Sequence, residues 1–385
     1  MIPALLYLLL AIAYSLFIVW ILQGLRRIRM PWSGEIVKKV SVIIATRDEE
    51  QNIPFSLGTL LKQSHPRTHL EIIVVDDHSS DRTRSVAEGI AAKFPMIRVL
   101  AAPSFSSSIA PKKAALAAGI GAASGEIILT LDADCAAPSG WVEKMSAPFA
   151  GDITAAASWV LIPEEKSLPT QIEFLDALAL QLIGAAAIGW EKPFLANGAN
   201  LAFRRRTFQK IGGYEGFAYM GSGDDDLLLQ KLHADGDGRI LFNTDTDSAV
   251  TTLPCKSWRD FFRQRIRWSS KAAFYPTWIK AIEGAAFVHY VTLLLGIPLA
   301  LLLSFPLWVP LLALLCKMTC DYLLLHKGVR MVRRSWSWPG FFGASLLHIA
   351  YIPVIGLIGQ FGRFEWKGRT YRQGRLEKNA AMKRV

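Results

Sequence analysis

Residues 4–22 form an apolar run broken only by Ser15, close to the ~20 residues that a helix needs to cross a bilayer. No Lys or Arg precedes the run, while Arg26, Arg27, Arg29, Lys38 and Lys39 follow it. It therefore reads as an uncleaved anchor over 1–25 with its N-terminus outside, rather than as a cleaved leader. From residue 40 the pattern changes to short β-rich runs at 40–45, 70–75, 97–100 and 126–131, separated by helical periodicity over 51–63, 81–94 and 112–123. This alternation predicts an α/β domain over 38–283 with a mostly parallel sheet. Ligands of such a sheet lie beyond the carboxyl ends of its strands, so the residues after those runs are the first candidates for a site. Beyond 284 the chain is apolar again. Runs at 287–303 and 307–325 flank Ser304-Phe305-Pro306, and a third at 341–361 follows a basic loop. Proline at the centre predicts a hairpin of two spans. The third segment contains Pro353, Gly356 and Gly359 and reads as a third span or as a re-entrant or interfacial helix. If all three segments of the 284–361 region crossed, the basic tail over 362–385 would lie outside, against the positive-inside tendency.

Charge supports this division. The net charge of +11 is concentrated at the ends of the apolar segments, including Arg330, Arg333, Arg334 and the tail after Arg363. Such placement marks topology at a cell membrane, with the catalytic domain on the cytoplasmic side. It does not mark a nucleic-acid binder, since only Phe364-Glu365-Trp366-Lys367-Gly368-Arg369 interleaves aromatic and basic residues. The four cysteines, Cys135, Cys255, Cys316 and Cys320, are scattered, which excludes a disulfide framework and a zinc spacing.

The chemistry sits in carboxylates placed after strands. Asp76 and Asp77 end the second run, where they can accept hydrogen bonds from a base or ribose; Asp77 or Asp81 could instead cap the next helix. Asp132 and Asp134 follow the fourth run at spacing two, and two hard oxygen donors that leave room for water and phosphate suit Mg²⁺ or Mn²⁺. Asp224, Asp225 and Asp226 open a helix after Gly221-Ser222-Gly223; mutual repulsion would raise the proton affinity of one of them, as a general base requires. Gln264, Arg267 and Trp268 share one face of a helix predicted over 258–273, joining an amide, a guanidinium and a flat ring that could stack on a sugar. An amphipathic juxtamembrane helix would account for Arg263 and Arg265 as well.

In this order the four elements resemble the membrane-integrated family 2 glycosyltransferases, with their Asp, Asp-x-Asp, Glu/Asp-Asp and Gln-x-x-Arg-Trp motifs, over residues 38–272. The resemblance implies a GT-A-type mixed sheet flanked by helices, between N-terminal and C-terminal transmembrane helices. It further implies inverting chemistry and a UDP-sugar donor with Mg²⁺ or Mn²⁺. By motif position, Asp76 or Asp77 would contact uridine, Asp134 the metal with Asp132 beside it, and Asp224 would be the base. Gln264, Arg267 and Trp268 would hold acceptor and diphosphate. Gly223 stands where many relatives have Glu, so Asp225 remains an alternative base. Thr46, Arg47 and Glu49 resemble the first donor loop, Lys112 the diphosphate-side lysine, and Asn197-Gly198-Ala199-Asn200 the loop beneath donor and acceptor. A lipid hydroxyl is the acceptor that adjacent membrane segments suggest. A processive polysaccharide synthase and a silent nucleotide-sugar sensor are the competing readings.

Overall fold

The computed structural model describes residues 2–29, 37–104, 108–372 and 374–377; residue 373 and the end of the basic tail, 378–385, lie outside the described residues. Helix α1 (Ile2–Arg27) leads into β1 (Val40–Thr46), α2 (Ile53–Leu60), β2 (Leu70–Asp76), α3 (Thr83–Ala91), β3 (Ile97–Ala101), α4 (Pro111–Ala122) and β4 (Ile127–Thr130). This is the alternation that the hydrophobic pattern predicts. The chain continues through β5 (Cys135–Ala136), α5 (Trp141–Ser146), β6 (Ile153–Ser158), β7 (Val160–Leu161), α6 (Leu168–Gly189), β8 (Leu201–Arg204), α7 (Arg205–Lys210), α8 (Asp226–Ala234), β9 (Arg239–Asn243), β10 (Val250–Thr252) and α9 (Trp258–Ser269).

Seven strands form one sheet in the order β3-β2-β1-β4-β8-β6-β9. The first four run parallel, and β8 is antiparallel to both its neighbours, so the sheet is mixed. The strands of the first half read as continuous Val/Ile/Leu runs because helices cover both faces, as the buried Ile43, Ile73 and Ile128 on one side and Val42, Ile72 and Leu129 on the other show. β5, β10 and β7 make a small second sheet.

The C-terminal part consists of α10 (Thr277–Leu294), α11 (Gly296–Leu302), α12 (Trp308–Met331) and α13 (Trp338–Phe361), then a three-stranded sheet of β11 (Arg363–Trp366), β12 (Arg369–Arg372) and β13 (Arg375–Leu376). Among the described residues, four helices, α1, α6, α12 and α13, are long and apolar enough to cross a membrane, or five spans if the α10–α11 pair counts as one. The first C-terminal segment begins at Thr277, earlier than the apolar run suggests. It bends by 65° at Leu295, just before Gly296-Ile297-Pro298, where proline denies the helix a donor and crowds the preceding turn. Helix α6 is a departure from the sequence reading, which placed no membrane-like helix inside the α/β domain. One core cluster joins Ile18, Ile21 and Leu25 of α1 to Leu178, Leu182 and Ala186 of α6 and Leu324 and Leu325 of α12. Gly24 and Gly189 let α1 and α6 approach closely, since a Cβ on Gly189 would stand 2.1 Å from the Gly24 carbonyl oxygen.

Helix α13 touches the α/β domain at both ends. Near its start Ser335 donates to Glu164 and Ser337 to Gln171; near its end Gln360 Nε2 donates to the Ser269 carbonyl at 2.7 Å. One face, with Trp338, Phe342, Leu346, Val354, Leu357 and Phe361, is exposed and apolar along the whole helix.

Candidate active site

Residues at the carboxyl ends of β1, β2 and β4 line one cavity together with Lys112, at the start of α4. Lys112 Nζ lies 3.0 Å from Asp132 Oδ1 and 2.9 Å from Asp224 Oδ2, so one ammonium ties the acid after β4 to the acid before α8. Burial works against the lysine charge, but Asp132 and Asp224 outweigh it and hold Lys112 protonated above the usual lysine range. Burial likewise pushes the Asp224 carboxyl up, and Lys112 and Lys113 overcome it, holding Asp224 well below the usual carboxylate range. Asp134 differs: burial, then the charges of Asp132 and Glu49, push it up to about 6. A carboxylate crowded by other carboxylates is one that a cation would relieve. Among the described residues no group of three or more His, Cys, Asp and Glu is arranged to hold a metal ion. Asp132 and Asp134 fit a divalent ion that takes its remaining oxygens from water and a diphosphate.

The three consecutive acids divide their work in a way that spacing alone did not reveal. Asp225 caps α8, accepting from the Asp226 N–H at 2.7 Å, from the Gly198 N–H at 3.2 Å and from Lys271 Nζ at 3.3 Å. The acid whose proton affinity rises is Asp226, pushed up to about 6 by burial and then by Asp225. It faces away from the cavity, accepting from Tyr275 Oη at 2.6 Å and pairing with Lys271. The repulsion argument thus applies to Asp226, while Asp224 stays ionised beside Lys112. The Gly-Ser-Gly approach is a matter of close contact: a Cβ on Gly221 would stand 2.3 Å from the Tyr371 ring.

At the other side of the acids, Arg47 Nη1 donates to the carbonyls of Asp77 and His78 at 2.7 and 2.9 Å, clamping the loop after β2. Thr46 Oγ1 and Asp76 Oδ1 are buried without a hydrogen-bond partner among the described residues, although Asp77, not Asp76, lines the cavity. Asp81 follows its capping alternative, accepting from the Thr83 N–H at 2.9 Å. Asp77 holds a buried two-pronged ion pair with Arg369 of β12, at 2.6 and 3.0 Å, and Glu49 pairs with Lys367 at 2.6 Å. The C-terminal hairpin therefore closes this side of the site, which the sequence reading did not foresee. Its signal was present in the Trp-Lys-Gly-Arg stretch: Lys367 and Gly368 both have positive φ, 50° and 71°, the two-residue turn that suits a hairpin.

Gln264, Arg267 and Trp268 line the same cavity from α9. The Arg267 guanidinium lies 5.1 Å from the Trp366 ring centre. Between them Arg265 turns inward, buried, with Nε 2.6 Å from Asp176 Oδ2 of α6; Asp176 also accepts from His348 and Tyr351 of α13. Arg265 stacks 4.3 Å from the Trp268 ring and donates to Gln264 Oε1, so it sets both neighbours. Asn200 is fully buried, its amide spent on the carbonyls of Trp159 and Ser248, at 2.8 Å each, and on Trp141 Nε1; Asn197, Gly198 and Ala199 reach the cavity in its place. The cavity measures about 1030 Å³ and runs from these acids to Tyr14, Phe287 and Leu324 among the apolar helices.

Residues 41–212 match the model of glycosyl transferase family 2, and the chain carries a glycosyltransferase domain of that family. Among its relatives, the probable glycosyltransferase YdaM of Bacillus subtilis is 28% identical over 237 residues, 60% of this chain and 54% of that protein. The undecaprenyl-phosphate 4-deoxy-4-formamido-L-arabinose transferase of Photorhabdus laumondii is 35% identical over 117 residues, 29% of this chain and 34% of that protein. The chain thus spans about half the length of the first and a third of the second. The mannosyltransferase PcManGT of Pyrobaculum calidifontis, solved with GDP-Man and Mn²⁺, superposes with a TM-score of 0.57 at 20% identity, over 93% of this chain and 97% of that one. The shared fold is the GT-A-type mixed sheet with flanking helices.

Proposed function

We propose that this protein is an inverting glycosyltransferase that moves one sugar from a UDP-sugar to a hydroxyl of a membrane lipid. The observation that carries the reading is the cavity, with one end among Lys112, Asp132, Asp134 and Asp224 and the other among apolar helices. Two names of relatives support the lipid part of this reading, although they name a phosphate and a carboxylate rather than a hydroxyl: the undecaprenyl-phosphate transferase and a 4,4'-diaponeurosporenoate glycosyltransferase of Staphylococcus haemolyticus, 43% identical over 60 residues, 16% of this chain and 15% of that protein.

In the mechanism, Thr46, Arg47 and Asp77 hold the nucleoside, and Lys112 and Arg267 face the diphosphate. Asp132 and Asp134 would hold Mg²⁺ or Mn²⁺, which supplies positive charge to the diphosphate when bound. Asp224 accepts the proton of the acceptor hydroxyl, whose oxygen attacks the anomeric carbon as the bond to the diphosphate oxygen breaks. The nucleoside diphosphate leaves as an anion beside Arg267 and Lys112, and the configuration inverts. Competition of the donor diphosphate for Lys112 loosens that lysine's hold on Asp224, raising the proton affinity of the base when the donor is present. Gln264 and Trp268 orient the acceptor.

The contacts of α13 support one reading of the membrane topology. A helix tied to the α/β domain at both ends, with one exposed apolar face, lies in the membrane interface. Helices α10–α11 and α12 then cross out and back, and the basic tail stays on the side of the catalytic domain, in keeping with the positive-inside tendency.

The test is release of UDP from UDP-sugars by the full chain in liposomes with MnCl₂ and total lipid extract, with products identified by mass spectrometry. One added sugar mass on a lipid is the expected product. A ladder of sugar masses would replace single transfer with processive synthesis, and no turnover with any nucleotide sugar and lipid would overturn the enzyme reading.

A further inference from the structure

Lys112 and Lys113 are adjacent in the first turn of α4, the end of a helix whose dipole disfavours cations. Lys112 is accounted for by Asp132 and Asp224. Lys113 falls with Leu116 and Ile120, at i, i+3 and i+7, on the buried face of α4, where the pattern calls for an aliphatic side chain. It is 1% exposed, and burial pushes its pKa down to about 8, with Asp224 and Asp225 opposing and Lys271 and Lys112 adding to the effect. Leu or Met at this place would avoid that cost, so the reason for a lysine lies in what its ammonium touches.

The ammonium holds backbone. Lys113 Nζ donates to the carbonyls of Met220 and Ser222, at 2.6 Å each, across 107 and 109 residues of sequence. These carbonyls belong to the approach to Asp224, where two glycines within three residues leave the chain little conformational preference of its own, and Gly223 takes a φ of 82°. The approach is therefore fixed from outside. The Ala110 N–H donates to the Ala218 carbonyl at 2.7 Å, Lys113 takes the carbonyls two and four residues further on, and the Gly221 N–H donates to the Gly374 carbonyl of the C-terminal sheet at 2.7 Å. Only Gly223 separates the clamped Ser222 from Asp224, so slack at Ser222 would pass directly to the carboxylate.

We propose that Lys113 is the positioning residue of the base, an assignment that rests on the reading of Asp224 as that base: its two hydrogen bonds fix the backbone of Met220 and Ser222 so that the Asp224 carboxylate meets the acceptor hydroxyl. The adjacent lysines then divide one task. Lys112 holds the carboxylate from the cavity, where the donor diphosphate competes for it. Lys113 holds the backbone from the protein interior, out of the donor's reach, so Asp224 keeps its place when Lys112 is drawn away.

The experiment compares wild type, Lys113→Met, Lys113→Gln and Leu116→Ala as full chains in liposomes with MnCl₂. UDP release is measured with a saturating UDP-sugar mixture and total lipid extract, well below the melting temperature of each variant, and UDP affinity is measured by calorimetry. Lys113→Met fills the space but leaves both carbonyls without a donor, and UDP release should fall about 10²-fold, as displacement of a catalytic group by about 1 Å would cause, while UDP affinity is unchanged. Lys113→Gln keeps amide N–H donors for the carbonyls and should recover about tenfold of that loss; it also serves if the Met variant does not fold. Leu116→Ala loosens the same face of α4 without touching the carbonyls, so it should lower the melting temperature and leave UDP release intact. Undiminished UDP release in the Lys113 variants would overturn the assignment, as would a loss no larger than that of Leu116→Ala, or a parallel loss of UDP affinity. Undiminished transfer by Asp224→Asn would instead overturn the reading of the base beneath it.

Discussion

Asp224 and Asp134 lie in one site, yet their surroundings pull them in opposite directions. Asp224 faces Lys112 and Lys113, which override its burial, whereas Asp134 faces Asp132 and Glu49, which add to it. An acid held below its ordinary range is deprotonated throughout the neutral region, so wild-type transfer should show no acid-side fall caused by Asp224 at or above the ordinary carboxylate pKa of about 4. Lys112→Met removes the larger of the two opposing charges and leaves burial. The folded-state pKa of Asp224 should then rise, and the acid limb of kcat/KM should move up in pH, measurable as UDP release from pH 4 to 8. An unmoved limb would mean that Asp224 is not the base. Asp224→Asn should cut transfer by about 10²- to 10⁴-fold while nucleotide binding survives. Asp134→Ala should instead abolish the response of nucleotide affinity to Mn²⁺, read by calorimetry with and without chelator.

Among the elements, α9 and the C-terminal hairpin bring residues distant in sequence to the candidate site. Helix α9 presents Gln264, Arg267 and Trp268 to the cavity because Arg265 fastens its other side to Asp176 on α6, and through Asp176 to α13. The hairpin closes the Asp77 side of the cavity through Arg369. Arg369→Ala would strand Asp77 as a buried charge, and removing one member of such a pair typically costs about 3–5 kcal/mol. The expected result is a lower melting temperature and faster proteolysis at the hairpin. The double variant Arg369→Ala, Asp77→Asn should regain part of that stability, which a double-mutant cycle would read as coupling. Additive losses would show that the pair contributes nothing specific.

At the scale of the whole molecule, the α/β domain and the apolar helices are one packed body, since α1, α6 and α12 share a core with the sheet. The apolar end of the cavity is therefore built by both halves together, and the α/β domain is not expected to fold as an active piece without its apolar helices. The tail's return to the site predicts that a C-terminal reporter and a label on the exposed surface of α3 are reached from the same side of the membrane. Labelling from opposite faces would replace the interfacial placement of α13 with a full crossing.

The local pattern of this chain determined its first four strands, the helices between them, the terminal apolar segments and the carboxylates that follow strands, because each depends on neighbours a few residues away. Asp132, Asp134, Asp224, Gln264, Arg267 and Trp268 were legible for that reason: each is marked by what precedes it in a strand or shares its helix face. Only the tertiary structure decided which acid Lys112 would hold ionised, which of three adjacent aspartates would be buried against Lys271 and Tyr275, and that Arg265 rather than Asn200 would line the cavity. It also brought Lys367 and Arg369 back to Glu49 and Asp77, across separations of 318 and 292 residues. Charge and burial at a point are sums over everything packed around it, and no periodicity along the chain reports that sum.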